Sequence, residues 1–328
     1  MKNICGVEFE TSKMRAKMLR KIINLYKGHK PNNDGCVKVS NEKKIDNLFL
    51  SIGMMKTSTT WLYFVLRLHP DIYFSYEKEI HYFAHLYSSM KLLDRTMRFK
   101  KMRETIENQK YNQYNQQKLK KELIWYLDYI NEPINDNWYI NLFKNRANEK
   151  YCADFSNLTC HVNKDGWKSI KNITRNLKVI LILRHPVQRL FSHVNFHLLT
   201  IDKHNQLSNW SKSDYLDFFK NDYIRKNSLY ADIVKNLIEN VPKKQYRIYF
   251  YEEIIKNMKK FIENIENFLG IKNYSYPNNI INNKICATMK ISMPNFFFDL
   301  FKDEFRMDVK RLNKIGIQTP EEWDDLFC

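Results

Sequence analysis

The sequence contains little glycine and little proline, with seven and eight residues respectively among 328. This scarcity argues against collagen-like, repeat and all-loop architectures. No run of about 18 apolar residues occurs, and the N-terminus has no apolar signal segment. We therefore expect a soluble, cytoplasmic protein without a transmembrane segment.

The six cysteines form no Cys-x-x-Cys pair, and no cluster of histidines completes a zinc-ligand spacing. We therefore expect no bound metal. Cys152 and Cys160 lie in or beside apolar sequence, which is typical of reduced, packed thiols. A disulfide between them remains an alternative in an oxidising compartment.

Acidic residues are in the minority, since 54 Lys and Arg against 36 Asp and Glu give a formal net charge of +18. Such an excess indicates polyanionic partners, for example a nucleotide, an acidic glycan or a membrane surface. Compositional bias toward Lys, Asn and Ile explains the charge equally well. Nucleic acid is not expected as a partner, because the basic residues are dispersed and no recognised binding module occurs.

The order of apolar and polar segments predicts the domain organisation. Residues 1–46 are basic and form an N-terminal extension. In residues 47–328 strands alternate with helices, which predicts an α/β fold with an open, mostly parallel sheet flanked by helices. The polar, basic segment at about 84–150 predicts a helical insertion over the site.

Polar residues follow three of the predicted strands. They are the turn Gly53–Lys56 after a buried strand, Asp154 after a second, and Arg184 after the apolar run 177–183. Ligands of open parallel sheets bind at the carboxyl ends of the strands, so we expect these residues to lie together.

Two of these strand ends are suited to anions. A helix begins after Lys56, and its free N–H groups, the lysine and the hydroxyls of Thr57 to Thr60 favour a phosphate or sulfate. Arg184 faces Ser192 from the second turn of the next helix and forms a second anchor. A ligand that contacts both anchors carries two separated anionic groups.

A nucleoside triphosphatase or kinase is the alternative interpretation of this turn. Such a protein needs Gly-Lys-[Ser/Thr] in the turn and a magnesium carboxylate on a neighbouring buried strand. Here Met55 precedes Lys56, and the most strongly buried strand ends in Arg184. Asp154 is the candidate carboxylate for this alternative.

Four motifs in register resemble those of the sulfotransferase family over about residues 47–316. The motif Gly53-Met-Met-Lys-Thr-Ser-Thr-Thr60 resembles the family's 5′-phosphosulfate-binding loop. The motif Arg184-His-Pro-Val-Gln-Arg-Leu-Phe-Ser192 resembles its 3′-phosphate-binding segment. The third motif has two parts, His69-Pro-Asp71 and Lys78-Glu-Ile-His-Tyr-Phe83, and is similar to the heparan-sulfate or carbohydrate branch. Ser228-Leu-Tyr230 falls where the family has Ser-x-Tyr.

The resemblance implies a P-loop-NTPase-like sulfotransferase fold and the donor 3′-phosphoadenosine 5′-phosphosulfate, used without a metal. The product nucleotide would be adenosine 3′,5′-bisphosphate, and the sulfuryl group would pass to a hydroxyl or amine of an acceptor, expected to be a saccharide. The implied donor-binding residues are Gly53, Lys56, Thr57, Ser58, Thr59, Thr60, Arg184, Ser192 and Tyr230, with Lys284 and Lys290 as candidates near the C-terminus.

The resemblance also assigns catalytic and acceptor-side residues. Lys56 would neutralise the leaving nucleotide, Glu79 would be the general base, and His81 would orient the glutamate or the substrate. Asp154 and Ser156 would face the acceptor. This sequence departs from the family pattern at Phe155 and Asn157, where glycan-type members carry lysine and proline.

Other interpretations of these residues stay open. Glu79 can be a surface carboxylate paired with Lys78, and His81 can be a hydrogen-bonded structural histidine. Arg189 can be structural and turned away from the ligand. The chain as a whole can be a non-catalytic member of the fold that binds polyanions through its basic surface.

Overall fold

The computed structural model describes residues 44–107, 116–200, 207, 209–282 and 291–328. The predicted N-terminal extension therefore lies outside the described residues, except for its last residues. Of these, Ile45 and Asp46 already belong to the first strand. No helix in the described ranges is long and apolar enough to cross a membrane.

The described residues form a five-stranded parallel sheet, with the strands in the order β2-β3-β1-β4-β5. The strands are β1 (Ile45–Ser51), β2 (Ile72–Phe74), β3 (Tyr151–Phe155), β4 (Thr174–Leu183) and β5 (Tyr246–Phe250). The predicted α/β fold with its open parallel sheet is confirmed. β1 lies in the centre, where Leu48 pairs with Cys152 of β3 and with Leu177 of β4.

Helices connect the strands and cover the sheet. They are α1 (Thr59–Leu66), α2 (Tyr82–Tyr87), α3 (Arg95–Glu107), α4 (Gln116–Tyr129), α5 (Asp136–Asn141), α6 (Lys164–Ile173), α7 (Pro186–Thr200), α8 (Lys212–Lys220), α9 (Asp222–Lys226), α10 (Ala231–Asn240), α11 (Tyr251–Lys256), α12 (Met258–Leu269), α13 (Asn278–Ile281) and α14 (Asn295–Lys314). Short 3₁₀ helices occupy Asn157–His161, Lys243–Gln245 and Glu321–Leu326.

Several helix boundaries differ from those that the sequence predicts. The apolar pattern of 253–269 predicts one helix closed by Gly270, but the structure has two, because Asn257 caps a new helix by accepting a hydrogen bond from the N–H of Lys260 at 3.0 Å. α1 begins at Thr59 rather than Thr57, since Ser58 has a left-handed backbone with φ of 65°. Gly270 ends α12 with φ of 63°, as its position predicts.

The hydrophobic core on one face of the sheet fixes the position of α1. Phe49, Phe155 and Ile180 of the strands pack in one cluster with Leu62 of α1 and Ile265 of α12. The last five residues of β4 are all buried, and they form the continuous apolar run that a strand covered on both faces requires. The packing holds the first turn of α1 beside the carboxyl end of β1, where the anion site is predicted.

Cys152 and Cys160 are both buried free thiols. Burial raises the pKa of the Cys152 thiol to about 12, so the thiol is neutral and unreactive at physiological pH. The alternative of a disulfide between the two cysteines is therefore not what the structure contains.

Candidate active site

The loop after β1 is held rigidly against β4. The N–H of Met54 donates to the oxygen of Ile182 at 2.9 Å, and the N–H of Ile182 donates to the oxygen of Gly53 at 2.9 Å. The hydroxyl of Thr57 donates to the oxygen of Met54 at 2.7 Å and is fully buried. This side chain therefore braces the turn from inside.

The backbone of the turn after β1 requires a glycine at position 53. Its φ is +147°, and a Cβ there would lie 3.0 Å from the backbone oxygen of Asn157. Only glycine tolerates both the backbone angle and the close approach. The chain can therefore leave β1 sharply and place Lys56 and the start of α1 at the end of the sheet.

Two non-glycine residues of the turn have left-handed backbones, Lys56 with φ of 71° and Ser58 with φ of 65°. Such angles are unfavourable for residues with a Cβ and concentrate at functional sites. Ser58 precedes α1, and its side chain makes no capping hydrogen bond. The first N–H groups of α1 lack a side-chain cap and, with the helix dipole, form a seat for an anion.

Arg184 contacts the backbone of Lys56 in this turn. Nη1 of Arg184 donates to the backbone oxygen of Lys56 at 3.2 Å, and the ammonium of Lys56 lies 4.4 Å from the centre of the Phe196 ring. The Arg184 guanidinium stacks over Tyr251 at 4.5 Å. Its Nε is buried, with no hydrogen-bond partner in the described part of the chain. This N–H is available to an anionic ligand.

Tyr230 contacts the backbone of Arg184. The Tyr230 hydroxyl donates to the backbone oxygen of Arg184 at 2.8 Å, and Tyr230 is fully buried. This contact fixes the backbone of Arg184. Ser192 lies half-buried on α7.

Arg189 lies beneath this anchor and is fully buried. It donates to Ser228 Oγ at 2.5 Å and lies 3.4 Å from Nδ1 of His193. Burial and the positive charge of Arg189 lower the pKa of His193 to about 2, so this histidine is neutral. These contacts agree with the structural interpretation of Arg189.

Glu79 is half-buried and held by hydrogen bonds on both carboxylate oxygens. The N–H of Asn157 donates to Oε2 at 2.8 Å, its side-chain Nδ2 donates to Oε1 at 2.7 Å, and Lys78 Nζ donates to Oε1 at 2.5 Å. Burial by itself raises the pKa of Glu79, but Lys78, His81 and the donors outweigh it and hold the pKa below its ordinary value. Glu79 is therefore ionised at neutral pH.

His81 is beside Glu79, with Nε2 at 3.7 Å from Oε2. It has a left-handed backbone with φ of 60°, and its N–H donates to Ser156 Oγ at 2.9 Å. Burial lowers the pKa of His81 to about 4, more than the Glu79 charge raises it. His81 is therefore neutral at physiological pH and can serve as a hydrogen-bonding group.

Asp154 and Ser156 lie at the end of β3, and each is 1% exposed. Oδ1 of Asp154 accepts from Ser156 Oγ at 2.6 Å, and Oδ2 accepts from the hydroxyl of Tyr139 at 3.0 Å. Burial raises the pKa of Asp154 to about 7. Both predicted acceptor-side residues are thus enclosed behind His81, and they contact its backbone through Ser156.

Side chains that the sequence did not single out hold the segment around Glu79. Nζ of Lys101, in α3, donates to the backbone oxygen of Glu79 at 3.0 Å and to Glu77 Oε2 at 3.2 Å. Tyr126 of α4 donates to Glu77 Oε1 at 2.6 Å. Helices of the segment at 84–150 therefore hold the backbone that carries Glu79. No local sequence signal indicates these long-range contacts.

Lys284 and Lys290 lie outside the described residues. Within the described ranges, no three His, Cys, Asp or Glu side chains are placed so that they could hold a metal ion.

Comparison with known proteins adds family information to this geometry. The model of the sulfotransferase family matches residues 49–275. No curated protein sequence matches the chain significantly.

The structure is similar to that of a sulfotransferase from Alicyclobacillus acidocaldarius, with a TM-score of 0.57 and 19% identity over 87% of this chain and 99% of that chain. The sulfotransferase domain of the Synechococcus PCC 7002 olefin synthase has a TM-score of 0.47 and 18% identity, over 86% and 99% of the two chains. A mouse sulfotransferase complexed with PAP has a TM-score of 0.44 and 15% identity, over 88% and 90%. The first of these likenesses establishes the fold.

Proposed function

The chain belongs to the sulfotransferase family, and on that premise we propose that it moves the sulfuryl group of 3′-phosphoadenosine 5′-phosphosulfate to a hydroxyl or amine of an acceptor. The observation that carries the proposal is the hydrogen bond from Arg184 to the backbone of Lys56. It joins two cationic anchors at neighbouring strand ends. A donor with phosphate groups at both ends of its nucleoside suits two anchors, whereas a single phosphate suits one.

The residues fit this donor. The turn from Gly53 to Thr60 offers the uncapped N–H groups of α1, which suit the 5′-phosphate. The Nε of Arg184 has no hydrogen-bond partner among the described residues and, together with Ser192, suits the 3′-phosphate. Tyr230 holds the Arg184 backbone from behind.

Glu79 acts as the general base in this proposal. An ionised carboxylate within reach of the acceptor takes the proton of its hydroxyl or amine. The acceptor oxygen or nitrogen then forms a bond to sulfur, and the bond between sulfur and the bridging oxygen breaks. The electron pair of that bond leaves with adenosine 3′,5′-bisphosphate, so the displacement is in-line and balanced.

Lys56 stabilises the charge that develops on the leaving oxygen. Its ammonium lies over Phe196, in a turn whose backbone is fixed by β4 and by Arg184. A fixed cation aimed at developing charge loses little energy in reorganisation, which is the main way such sites accelerate reactions. Neutral His81 assists by orienting Glu79 or the acceptor.

We propose a saccharide as the acceptor, as in the heparan-sulfate or carbohydrate branch. The motifs His69-Pro-Asp71 and Glu79-Ile-His81 support this branch. α3 supports an anionic glycan in particular, because it carries the exposed Arg95, Lys100 and Arg103 beside the base segment.

Isothermal titration with adenosine 3′,5′-bisphosphate and with AMP tests the donor. We expect the bisphosphate to bind about 10-fold to 100-fold more tightly, because charged hydrogen bonds to a 3′-phosphate contribute about 1.5–3 kcal/mol. Equal affinities would overturn the proposal. A panel of glycan, lipid and peptide acceptors with sulfur-labelled donor then tests transfer. Tight bisphosphate binding with no transfer to any acceptor would favour a non-catalytic, polyanion-binding protein.

A further inference from the structure

Asn157 contacts both halves of the candidate active site. Its backbone N–H and its side-chain Nδ2 donate to the two oxygens of Glu79, at 2.8 and 2.7 Å. Its Oδ1 accepts from the hydroxyl of Thr59 at 3.1 Å, and Thr59 opens α1 directly after the anion turn. Asn157 is only 8% exposed.

The chemistry of Glu79 fixes the orientation of this amide. An ionised carboxylate only accepts hydrogen bonds, so the NH₂ group of Asn157 must face Glu79. The carbonyl oxygen of the amide then faces Thr59, whose hydroxyl must donate. A flipped amide would place two acceptors against each other at Glu79. The chain of contacts therefore has one direction, from Thr59 through Asn157 to Glu79.

The backbone of Asn157 adds a further contact to the same loop. Its carbonyl oxygen lies where a Cβ on Gly53 would be 3.0 Å away, and it accepts from the thiol of Cys160 at 3.2 Å. The residue is therefore fixed on both sides, and neither its main chain nor its side chain can shift without moving the anion turn or Glu79.

We infer that Asn157 is a positioning residue that couples the donor-binding turn to the base, by holding the Glu79 carboxylate in register with Thr59. The inference rests on the role of Glu79 in the proposed function. A proline here, as in glycan-type members of the family, would supply neither the backbone N–H nor the side-chain amide.

Other titratable and charged groups also lie around Glu79 and act on its pKa. They are Lys78 and His81 on its own segment, Glu77 close by, Lys101 of α3, Asp154 of β3, and Cys160 and Tyr223 at greater distance. A substitution at Asn157 leaves all of these groups in the sequence. In Asn157→Ala, which adds no charge, a change in the titration of Glu79 then reports the loss of the side-chain donor, whereas Asn157→Asp also adds a negative charge.

The test follows the carboxyl carbon of Glu79 by nuclear magnetic resonance in the full chain labelled at glutamate, with Glu79→Gln identifying the signal. Asn157→Asp replaces a donor by an acceptor at nearly constant shape and should raise the pKa of Glu79 strongly. Asn157→Ala removes one donor and should raise it by about one unit, a roughly tenfold change in proton affinity. Thr59→Val should raise the pKa of Glu79 by less. Thr59→Ser keeps the hydroxyl and should leave the pKa of Glu79 as in the unmodified protein.

An unchanged titration of Glu79 in both Asn157 variants would overturn the inference. If Asn157→Ala fails to fold, Asn157→Asp and the Thr59 pair still decide it, since they alter shape little. The acid limb of kcat/KM should move to higher pH in step with the carbon signal. A purely structural role would lower activity equally at all pH values.

The same experiments separate this inference from the proposed function. If Glu79→Gln keeps full transfer activity, Glu79 is not the base and the proposed mechanism fails, whatever Asn157 does. If Glu79→Gln is inactive while the Asn157 variants titrate like the unmodified protein, the coupling through Asn157 alone is wrong.

Discussion

Arg184 and Lys56 lie 128 residues apart in the sequence, yet Nη1 of Arg184 donates a hydrogen bond of 3.2 Å to the backbone oxygen of Lys56. The contact joins the loop after β4 to the turn after β1. In the proposed function Arg184 binds the 3′-phosphate of the donor, and the turn that carries Lys56 binds the 5′-phosphate.

Arg184→Ala is expected to weaken binding of adenosine 3′,5′-bisphosphate about 10-fold to 100-fold, because charged hydrogen bonds worth about 1.5–3 kcal/mol are lost. Affinity for AMP, which lacks the 3′-phosphate, should change much less. Titration calorimetry with both nucleotides measures the difference. The control is Arg225→Ala, since Arg225 is exposed and pairs with Glu304. Equal losses for the two nucleotides would remove Arg184 from the 3′-phosphate.

Lys56→Met is expected to lower kcat about 100-fold to 1,000-fold, the usual cost of removing one group that stabilises developing charge. Binding of the product nucleotide should fall by a much smaller factor, since the turn keeps its N–H groups. Turnover is measured with labelled donor, and affinity by calorimetry. Lys220→Met is the control, because Lys220 is exposed and pairs with Asp217 on the same helix. Unchanged kcat in Lys56→Met would contradict the leaving-group role.

Glu79→Gln should abolish turnover and leave nucleotide binding intact. Lys78, His81 and Asn157 hold the pKa of Glu79 below its ordinary value of 4.5 against the opposing effect of burial. Glu79 is therefore ionised at neutral pH, and with Glu79 as the proposed base kcat/KM should fall only below about pH 5. The pH profile measures this. Glu104→Gln, at an exposed position of α3, should behave like the unmodified protein. An acid limb near neutrality would contradict the assignment.

Asp154→Asn is expected to change how stability depends on pH. Burial raises the pKa of Asp154 from 3.8 to about 7, so the folded protein keeps this proton where the unfolded chain loses it. Stability from this group is present at low pH and is lost as pH rises from about 4 to about 7, by up to about 4 kcal/mol. The variant has no carboxyl group at this position and does not lose this stability. Its free energy of unfolding relative to that of the unmodified protein should therefore increase as pH rises.

Thermal unfolding of the Asp154→Asn variant and the unmodified protein between about pH 5 and about pH 8 measures this difference. Asp217→Asn, at an exposed position, should follow the pH dependence of the unmodified protein. If the melting temperatures of the two proteins differ by the same amount at every pH in this range, Asp154 does not titrate as its burial requires.

Gly53→Ala should impair the anion turn, and Gly316→Ala is its matched control. Both glycines have positive φ, at +147° and +86°, so either substitution adds backbone strain of about 1–3 kcal/mol. At Gly316 a Cβ meets nothing within 4 Å, whereas at Gly53 it meets the oxygen of Asn157 at 3.0 Å. Both variants should melt earlier, but only Gly53→Ala should lose nucleotide affinity. Equal nucleotide affinities would show that the turn tolerates a Cβ.

Much of the fold could be predicted because its signals are local. Apolar runs such as 177–183 must be buried on both faces, and their alternation with helices leaves few topologies other than a parallel sheet. Boundaries were less accurate where one residue redirects the chain. Asn257 divides a predicted helix by capping a second one, and Ser58 delays the start of α1 through its backbone angle.

The positions of the predicted site residues relative to each other were harder to anticipate. Asp154 carries the right chemistry for an acceptor-side group, but burial behind His81 and the contact with Tyr139 decide its environment. Arg189 is charged, yet it lies in the interior on Ser228 and His193. The burial of such side chains depends on how separate helices and strands pack, and a short stretch of sequence does not indicate it.

The chemistry available to the site can be identified from the amino-acid sequence: a glycine turn with Lys56, a strand that ends in Arg184, and a glutamate among aromatic residues. Each is a property of a few neighbouring residues and of the periodicity around them. The contacts of Asn157 with Glu79, 78 positions away, and with Thr59, 98 positions away, come from the folding of the chain. Those contacts arise because parallel strands bring their carboxyl ends to one edge, where the loops that follow them must share the same space.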